Sequence, residues 1–294
     1  MNCILNFTPT GMIPTKQMTP HVPVTVEEIV EQVLAAVDIG ITMAHLHARD
    51  LDTGEPTYQA EIYSEIIANI RRFHPDLVIC VSTSGRNFSE FEKRAQVLGL
   101  KGEVKPDMAS LTLSSVNFNK QASVNSPDMI NALAQEMKNN NILPELEVFD
   151  VGMINYAKYL EKKGLLEPPH YFGLILGNIA CAQADLLHCG VMIRDLPPDS
   201  VWSIGGVGDA QLMINSLAIS IGGGVRVGLE DNIYYDPQRN KLATNLELVK
   251  RIHRLAEANE RLIMKPMELR EILHLEGGYG SYGRINPKLN AVKE

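Results

Sequence analysis

No apolar run in this sequence approaches the roughly 18 residues of a membrane-spanning helix, so no such span is expected. Basic residues are outnumbered, 27 Lys and Arg against 35 Asp and Glu, for a net charge of -8. No Lys or Arg block with interleaved aromatics offsets that balance, which excludes a nucleic-acid surface. Cysteine is sparse: Cys3, Cys80, Cys181 and Cys189 lie far apart except for the last pair, whose spacing of eight fits no common zinc or redox motif. They read as reduced thiols of a cytoplasmic protein. Met1–Asn6 lacks a basic region followed by a long apolar run, so no signal peptide is expected. Glycine clusters occur at Gly205-Gly206-Val207-Gly208 and Gly222-Gly223-Gly224, but neither has dinucleotide-fingerprint spacing or precedes Gly-Lys-Ser/Thr. Each cluster is either a phosphate cradle of backbone amides or a tight turn with close backbone packing.

What is present is a 45% hydrophobic chain of 294 residues with regular strand and helix alternation and no composition break, which predicts one domain over 1–294. Cys3–Thr8 reads as a strand leading into Thr8-Pro9-Thr10-Gly11. Thr25 and Glu28 form a capping box before a helix whose apolar face is Val26, Ile29, Val30, Val33 and Val37, and Gly40 ends it. The second strand carries His45-Leu46-His47. A helix over Tyr58–Phe73 follows, then a strand Leu77–Val81 ending in Ser82-Thr83-Ser84-Gly85, a helix Phe88–Leu98 and a strand Met108–Leu113. Ser126 and Pro127 open the next helix. Glu145–Phe149 is a strand whose alternating acids Glu145 and Glu147 are either solvent-facing or functional. Beyond it come a helix Met153–Lys163, a strand Tyr171–Leu176, a helix through Leu187, a strand Val201–Ile204, a helix Gln211–Ile219, a strand Gly223–Val227, a helix capped by Thr244 and a last helix Pro266–Leu273.

Eight strand-helix pairs fit an open doubly wound sheet or a closed barrel. The unusual side chains sit at the ends of strands two, three, four, five and eight, and only a barrel brings those ends to one mouth. The fold predicted is therefore a (β/α)8 TIM barrel with a short C-terminal helical extension. His45 and His47, two residues apart on a strand, point the same way and make half of a borderline metal site. Satisfied polar residues are the plain alternative. Glu230-Asp231, after the Gly222–Gly228 segment, is the candidate other half; two His and one carboxylate leave positions open, as in a catalytic metal site.

Together, His45-Leu46-His47-Ala48-Arg49-Asp50, Met108-Ala109-Ser110-Leu111, Pro144-Glu145-Leu146-Glu147-Val148-Phe149-Asp150 and Val225-Arg226-Val227-Gly228-Leu229-Glu230-Asp231-Asn232 resemble the β-keto acid cleavage enzymes. That family includes the 3-keto-5-aminohexanoate cleavage enzymes of lysine fermentation. The resemblance implies a zinc-bearing (β/α)8 barrel, usually a homotetramer, that exchanges acyl groups between a β-keto acid and acetyl-CoA, giving acetoacetate and the CoA ester of the shortened acid. By resemblance, His45, His47 and Glu230 would hold zinc, Arg226 and Asp231 would form a catalytic dyad with Ser82 as the strand-three serine, and Glu145 would help hold the substrate. Ser110, Thr112 and Arg226 join the expected substrate contacts, and Gly205, Gly206, Gly223 and Gly224 the expected CoA contacts. A metal-dependent aldolase or hydrolase without CoA is the alternative, and a non-catalytic metabolite sensor a third reading, against which Asp231 beside Arg226 argues.

This chain departs from the family pattern at three places. Met12-Ile13-Pro14 replaces an acid that would hold the substrate's amine, and an apolar Ile13 leaves an ammonium unpaired. A preference for neutral or apolar substrate tails is expected. Gly222-Gly223-Gly224 replaces Gly-Gly-His, and Asn178-Ile179-Ala180-Cys181 replaces a Gly-Gly pair.

Overall fold

A computed structural model describes residues 1–285; the final stretch of the expected 1–294 domain, 286–294, lies outside the described residues. In chain order the elements are β1 (Leu5–Phe7), α1 (Val26–Ile39), β2 (Met43–Leu46), α2 (Ala60–Arg71), β3 (Val78–Val81), α3 (Phe91–Ala95), β4 (Met108–Thr112), β5 (Val116–Asn117), β6 (Ala122–Ser123), α4 (Pro127–Asn139), β7 (Leu143–Val148), α5 (Val151–Lys162), β8 (His170–Leu176), α6 (Leu186–Asp195), β9 (Ser200–Gly206), α7 (Ala210–Ser220), β10 (Gly224–Val227), α8 (Asn245–Ala258) and α9 (Pro266–Leu273). Eight parallel strands close in the circular order β1, β2, β3, β4, β7, β8, β9, β10, with β10 pairing back to β1. The helices surround this barrel, and α9 is the C-terminal extension. The TIM-barrel reading holds.

Local signals set the helix ends. Thr25 with Glu28 and Thr244 with Glu247 form reciprocal capping boxes, and Ser126 accepts from the Met129 N–H one residue before Pro127 at the first helical position. Ile4, Met43, Val78, Met108, Leu143, Tyr171 and Val201, at the strand beginnings, form an apolar layer that Leu269 and Leu273 of α9 close from below. Asp107 pins this extension. Fully buried, it takes Arg270 at 2.7 and 2.9 Å, Arg71 at 3.1 Å and the Ile79 N–H at 2.9 Å. The polar site lies at the opposite, C-terminal end of the strands, which is where barrels carry their active sites.

Three segments differ from expectation. The helix anticipated through Leu187 begins only at Leu186; before it, Asn178 Nδ2 donates to the Asn117 carbonyl at 3.0 Å and Gln183 Nε2 to the Asn178 carbonyl at 3.0 Å, bonds that compete with helix formation. The helix expected over Phe88–Leu98 contracts to α3, followed by a 3-10 turn Gln96–Gly99. The β5–β6 hairpin was not anticipated, since two-residue strands have no readable periodicity.

Candidate active site

β2 ends at Leu46, so His45 projects from the strand and His47 from the first residue beyond it, both on the barrel's inner side. Their Nε2 atoms stand 3.2 Å apart, and Glu230 Oε1 lies 3.2 Å from His47 Nε2. Glu230 is placed by the first loop: a Cβ at Gly11 would approach Glu230 Cγ to 2.4 Å, and Gly11 has φ of +68°, so only glycine fits there. Buried Arg49 fixes the same loop by donating to the carbonyls of Gly11 and Pro14, each at 2.8 Å.

Arg226, on β10, is the hub of the acids. Its Nη2 is 2.7 Å from Glu230 Oε1, its Nε is 3.1 Å from Asp231 Oδ2, and its Nη1 is 3.6 Å from Glu147 Oε1. Thr8 Oγ1 also donates to Asp231 Oδ2 at 3.4 Å, and Thr112 Oγ1 to Glu147 Oε2 at 2.7 Å. Below His45, Glu145 Oε2 is 2.5 Å from His45 Nδ1 and accepts from the Cys80 thiol at 3.0 Å, while Asn6 donates to Oε1 at 2.7 Å. A cavity of about 770 Å³ opens above, lined among others by His47, Ser82, Thr112, Glu147, Arg226 and Asp231.

Burial competes with neighbouring charges throughout the site. It would by itself lower His45, but the Glu145 and Glu230 carboxylates outweigh it and raise His45 to about 9, with Glu145 drawn down to about 2 in return. His47 is lowered because burial prevails over Glu230. Burial lifts Asp231 to about 6 against the opposing pull of Arg226, and raises Glu147 as well. Arg226 is raised by its ring of acids in spite of its burial.

The expected residues are not all assembled in the cavity. His45, His47, Glu230, Arg226 and Asp231 converge, and Ser82 and Thr112 line the cavity. Glu145 requires correction as a substrate contact: it is 0% exposed and spends its oxygens on His45, Cys80 and Asn6. Glu147, two residues further along the same strand, stands in the cavity wall instead. Ser110 is likewise occupied, accepting from the Thr83 N–H at 3.1 Å and receiving the Thr83 hydroxyl on its carbonyl at 2.6 Å. The four glycines expected to contact CoA are closely packed, Gly205 and Gly206 at the end of β9 and Gly223 and Gly224 around the start of β10. A Cβ at Gly205 would crowd the Arg226 side chain at 3.1 Å, at Gly206 the α7 backbone at 2.8 Å, at Gly223 the Trp202 ring at 1.8 Å and at Gly224 Ile4 at 2.7 Å.

The donor set fits a metal ion. One ligand atom from each of His45, His47 and Glu230 lies within 4.8 Å of the others, and Glu230 Oε2 is buried without a partner. Glu145 fixes Nδ1 of His45 and directs Nε2 toward the cluster, the usual support of a metal-binding imidazole. A second cluster, His45 with Cys80 and Glu145, is wholly buried beneath the first.

The fold and this site define a parallel-barrel enzyme with a two-histidine, one-carboxylate cluster beside an arginine-held aspartate. A model of the beta-keto acid cleavage enzyme family matches residues 2–275, and the chain belongs to that family. It is a catalytic member of the β-keto acid cleavage type. It is 38% identical over 265 residues to a 3-keto-5-aminohexanoate cleavage enzyme of Fusobacterium nucleatum, covering 89% of this chain and 94% of that one. It is 34% identical over 276 residues to a 3-oxoadipate:acetyl-CoA acetyltransferase of Cupriavidus necator, covering 93% and 95%. The solved apo structure of ObcA superposes with a TM-score of 0.75 at 22% identity over 86% of this chain; the match spans 65% of that longer protein and shows a shared fold.

Proposed function

We propose that this enzyme cleaves the bond between C2 and C3 of a β-keto acid in the cavity above β2 and β10, with His45, His47 and Glu230 holding a zinc ion. The observation that carries the reading is that Arg226 bonds both Glu230 and Asp231, setting the ligand cluster and a base side by side on one cavity wall. Zinc bound there would supply Lewis acidity toward the substrate's keto and carboxylate oxygens. Asp231 is the group that moves the C2 proton. Arg226 and Thr8 both bond its Oδ2, so Oδ1 is the oxygen that meets the substrate. Ser82 and Thr112 offer hydroxyls along the same wall.

The acyl acceptor separates two readings. The sequence leads to acetyl-CoA, which the name of the Cupriavidus relative also specifies. The Fusobacterium relative, at higher identity, has a name that specifies cleavage and no acceptor, which weighs toward metal-dependent cleavage without CoA. Metal-loaded protein incubated with a β-keto acid in the presence and absence of acetyl-CoA distinguishes them. Turnover without the thioester supports the second reading; strict dependence on it, with a new CoA ester formed, supports the first. No cleavage of any β-keto acid under either condition, in protein shown to carry metal, would overturn both. The single 1–294 domain, the cytoplasmic location and the homotetramer belong to this proposal, and limited proteolysis, cell fractionation and light scattering test them.

A further inference from the structure

Arg86 sits in the cavity wall on the loop that follows β3, and nothing in the reaction outlined above uses it. Its guanidinium stacks on Phe118 with Cζ 3.6 Å from the ring centroid, and Phe118 in turn meets Phe149 edge-on, centroids 5.9 Å apart. Stacking occupies one face of the guanidinium and leaves its N–H edge for an acceptor. Among the described residues no carboxylate pairs with it: Glu147, Glu230 and Asp231 all turn to Arg226. The hydrogen bond it does make is from its backbone N–H to Ser84 Oγ at 3.3 Å. Half-buried cations are ordinarily paired, so this one is poised for an anion from outside the chain.

The loop is also held rigid. Buried Arg94 donates from Nε to the Thr83 carbonyl at 2.8 Å and from Nη2 to Asn125 Oδ1 at 2.7 Å, and Asn125 Nδ2 donates to the Ser114 carbonyl at 3.0 Å. These bonds staple the loop after β3 to the segment flanking the β5–β6 hairpin, fixing Arg86 relative to Phe118. Lys120, on the turn of that hairpin, adds a second positive side chain to the cavity lining. Ile13, whose apolar character suggested a neutral substrate tail, is 49% exposed at the same mouth and does not enclose it.

We infer that Arg86 receives a second anionic group of the substrate, a carboxylate at the end remote from the reacting carbons, so that the enzyme selects β-keto dicarboxylates over β-keto monocarboxylates of equal length. The inference rests on the β-keto acid reading above and deepens it. A planar guanidinium offers two parallel N–H groups to such a carboxylate, and the aromatic stack beneath it reduces the entropy lost on binding.

The test compares 3-oxopimelate with 3-oxoheptanoate, which differ only in the terminal carboxylate. The expected ratio of kcat/KM favours the dicarboxylate by about tenfold or more, the value of one charged hydrogen-bonding contact. In Arg86→Gln that ratio falls to near one, through KM more than kcat, and Arg86→Lys restores part of it. A wild-type ratio near or below one, or a ratio unchanged in Arg86→Gln, overturns the inference. So does a rise in KM for acetyl-CoA in Arg86→Gln with the ratio preserved, which would give Arg86 to the thioester's phosphates. A second arm needs no turnover: inert pimelate raises the melting temperature of wild-type protein more than heptanoate does, and Arg86→Gln abolishes the difference. If no β-keto acid is cleaved, the functional proposal fails while this arm still decides Arg86; equal responses to the two acids in wild type overturn the inference by themselves.

Discussion

His45 Nδ1 stands 2.5 Å from Glu145 Oε2, with both side chains buried at the floor of the cavity. This pairing explains how an acid can occupy a barrel interior without lining the cavity. Glu145 is satisfied on both oxygens, and its charge is balanced by the imidazole it orients.

Glu145→Gln keeps the shape of this contact and removes its charge. Outer partners of metal-binding histidines are commonly worth about 10–100-fold in metal affinity, and a loss of that size is expected here. Competition with a chromophoric chelator measures it. Retention of wild-type affinity would show that Glu145 does not support His45 as a ligand.

Asp231→Asn preserves the size of the side chain while removing the charge that accepts a proton. Turnover should fall by about 10²–10⁴-fold, with metal content unchanged because His45, His47 and Glu230 are intact. Exchange of the C2 hydrogens of a β-keto acid with deuterium, followed without acetyl-CoA, should slow in parallel. Equal exchange in the two proteins would remove Asp231 from the proton transfer and make Glu147, across Arg226, the next group to replace.

Asp107→Ala strands two buried cations, Arg71 and Arg270, that now share its carboxylate. Breaking such a network by removing one partner costs about 3–5 kcal/mol. Urea unfolding should show a midpoint lowered accordingly. The lesion lies at the barrel end opposite the cavity, so metal affinity of the folded fraction should stay close to wild type. A change under about 1 kcal/mol would mean that water or a rearranged extension replaces the carboxylate.

His170 contributes to the acid limit of stability. It is 4% exposed, its Nε2 lies 3.0 Å from Glu161 Oε2, and Asp199 and Arg284 also act on it. Burial lowers its pKa, and Glu161 only partly offsets that. The folded state therefore binds this proton less readily than the unfolded chain, whose histidine titrates near about 6.5. Stability from this group is complete above that value and declines as pH falls through it. His170→Gln should lose less stability than wild type between about pH 7.5 and 5.5, read from urea midpoints, since it removes a group of reference pKa near 6.5. Equal losses would exclude His170 as a contributor.

By itself, the sequence determined the barrel and singled out the candidate groups of its site, because both are written in local patterns. Strand-helix alternation, the capping pairs at Thr25 and Thr244, and the run from Arg226 to Asp231 are each confined to a few consecutive residues. His45 and His47 share a face because a strand repeats every two residues. Glu145 and Glu147 share a face for the same reason, and there periodicity stops being informative: it assigns a side of the sheet, not a depth in the barrel. Depth follows from register between strands. The pairing of Ser110 with Glu145 and of Thr112 with Glu147 places the first acid under His45 and the second at the mouth. Closure of β10 onto β1 brings Glu230 to His47 across most of the chain length, and Arg94, bonded to Val124 and Asn125, helps carry Arg86 and Phe118 to the same rim. Those contacts join residues on separate strands and loops, so no window of sequence contains them; they exist because a closed sheet has one interior, and every inward side chain must find its partners there.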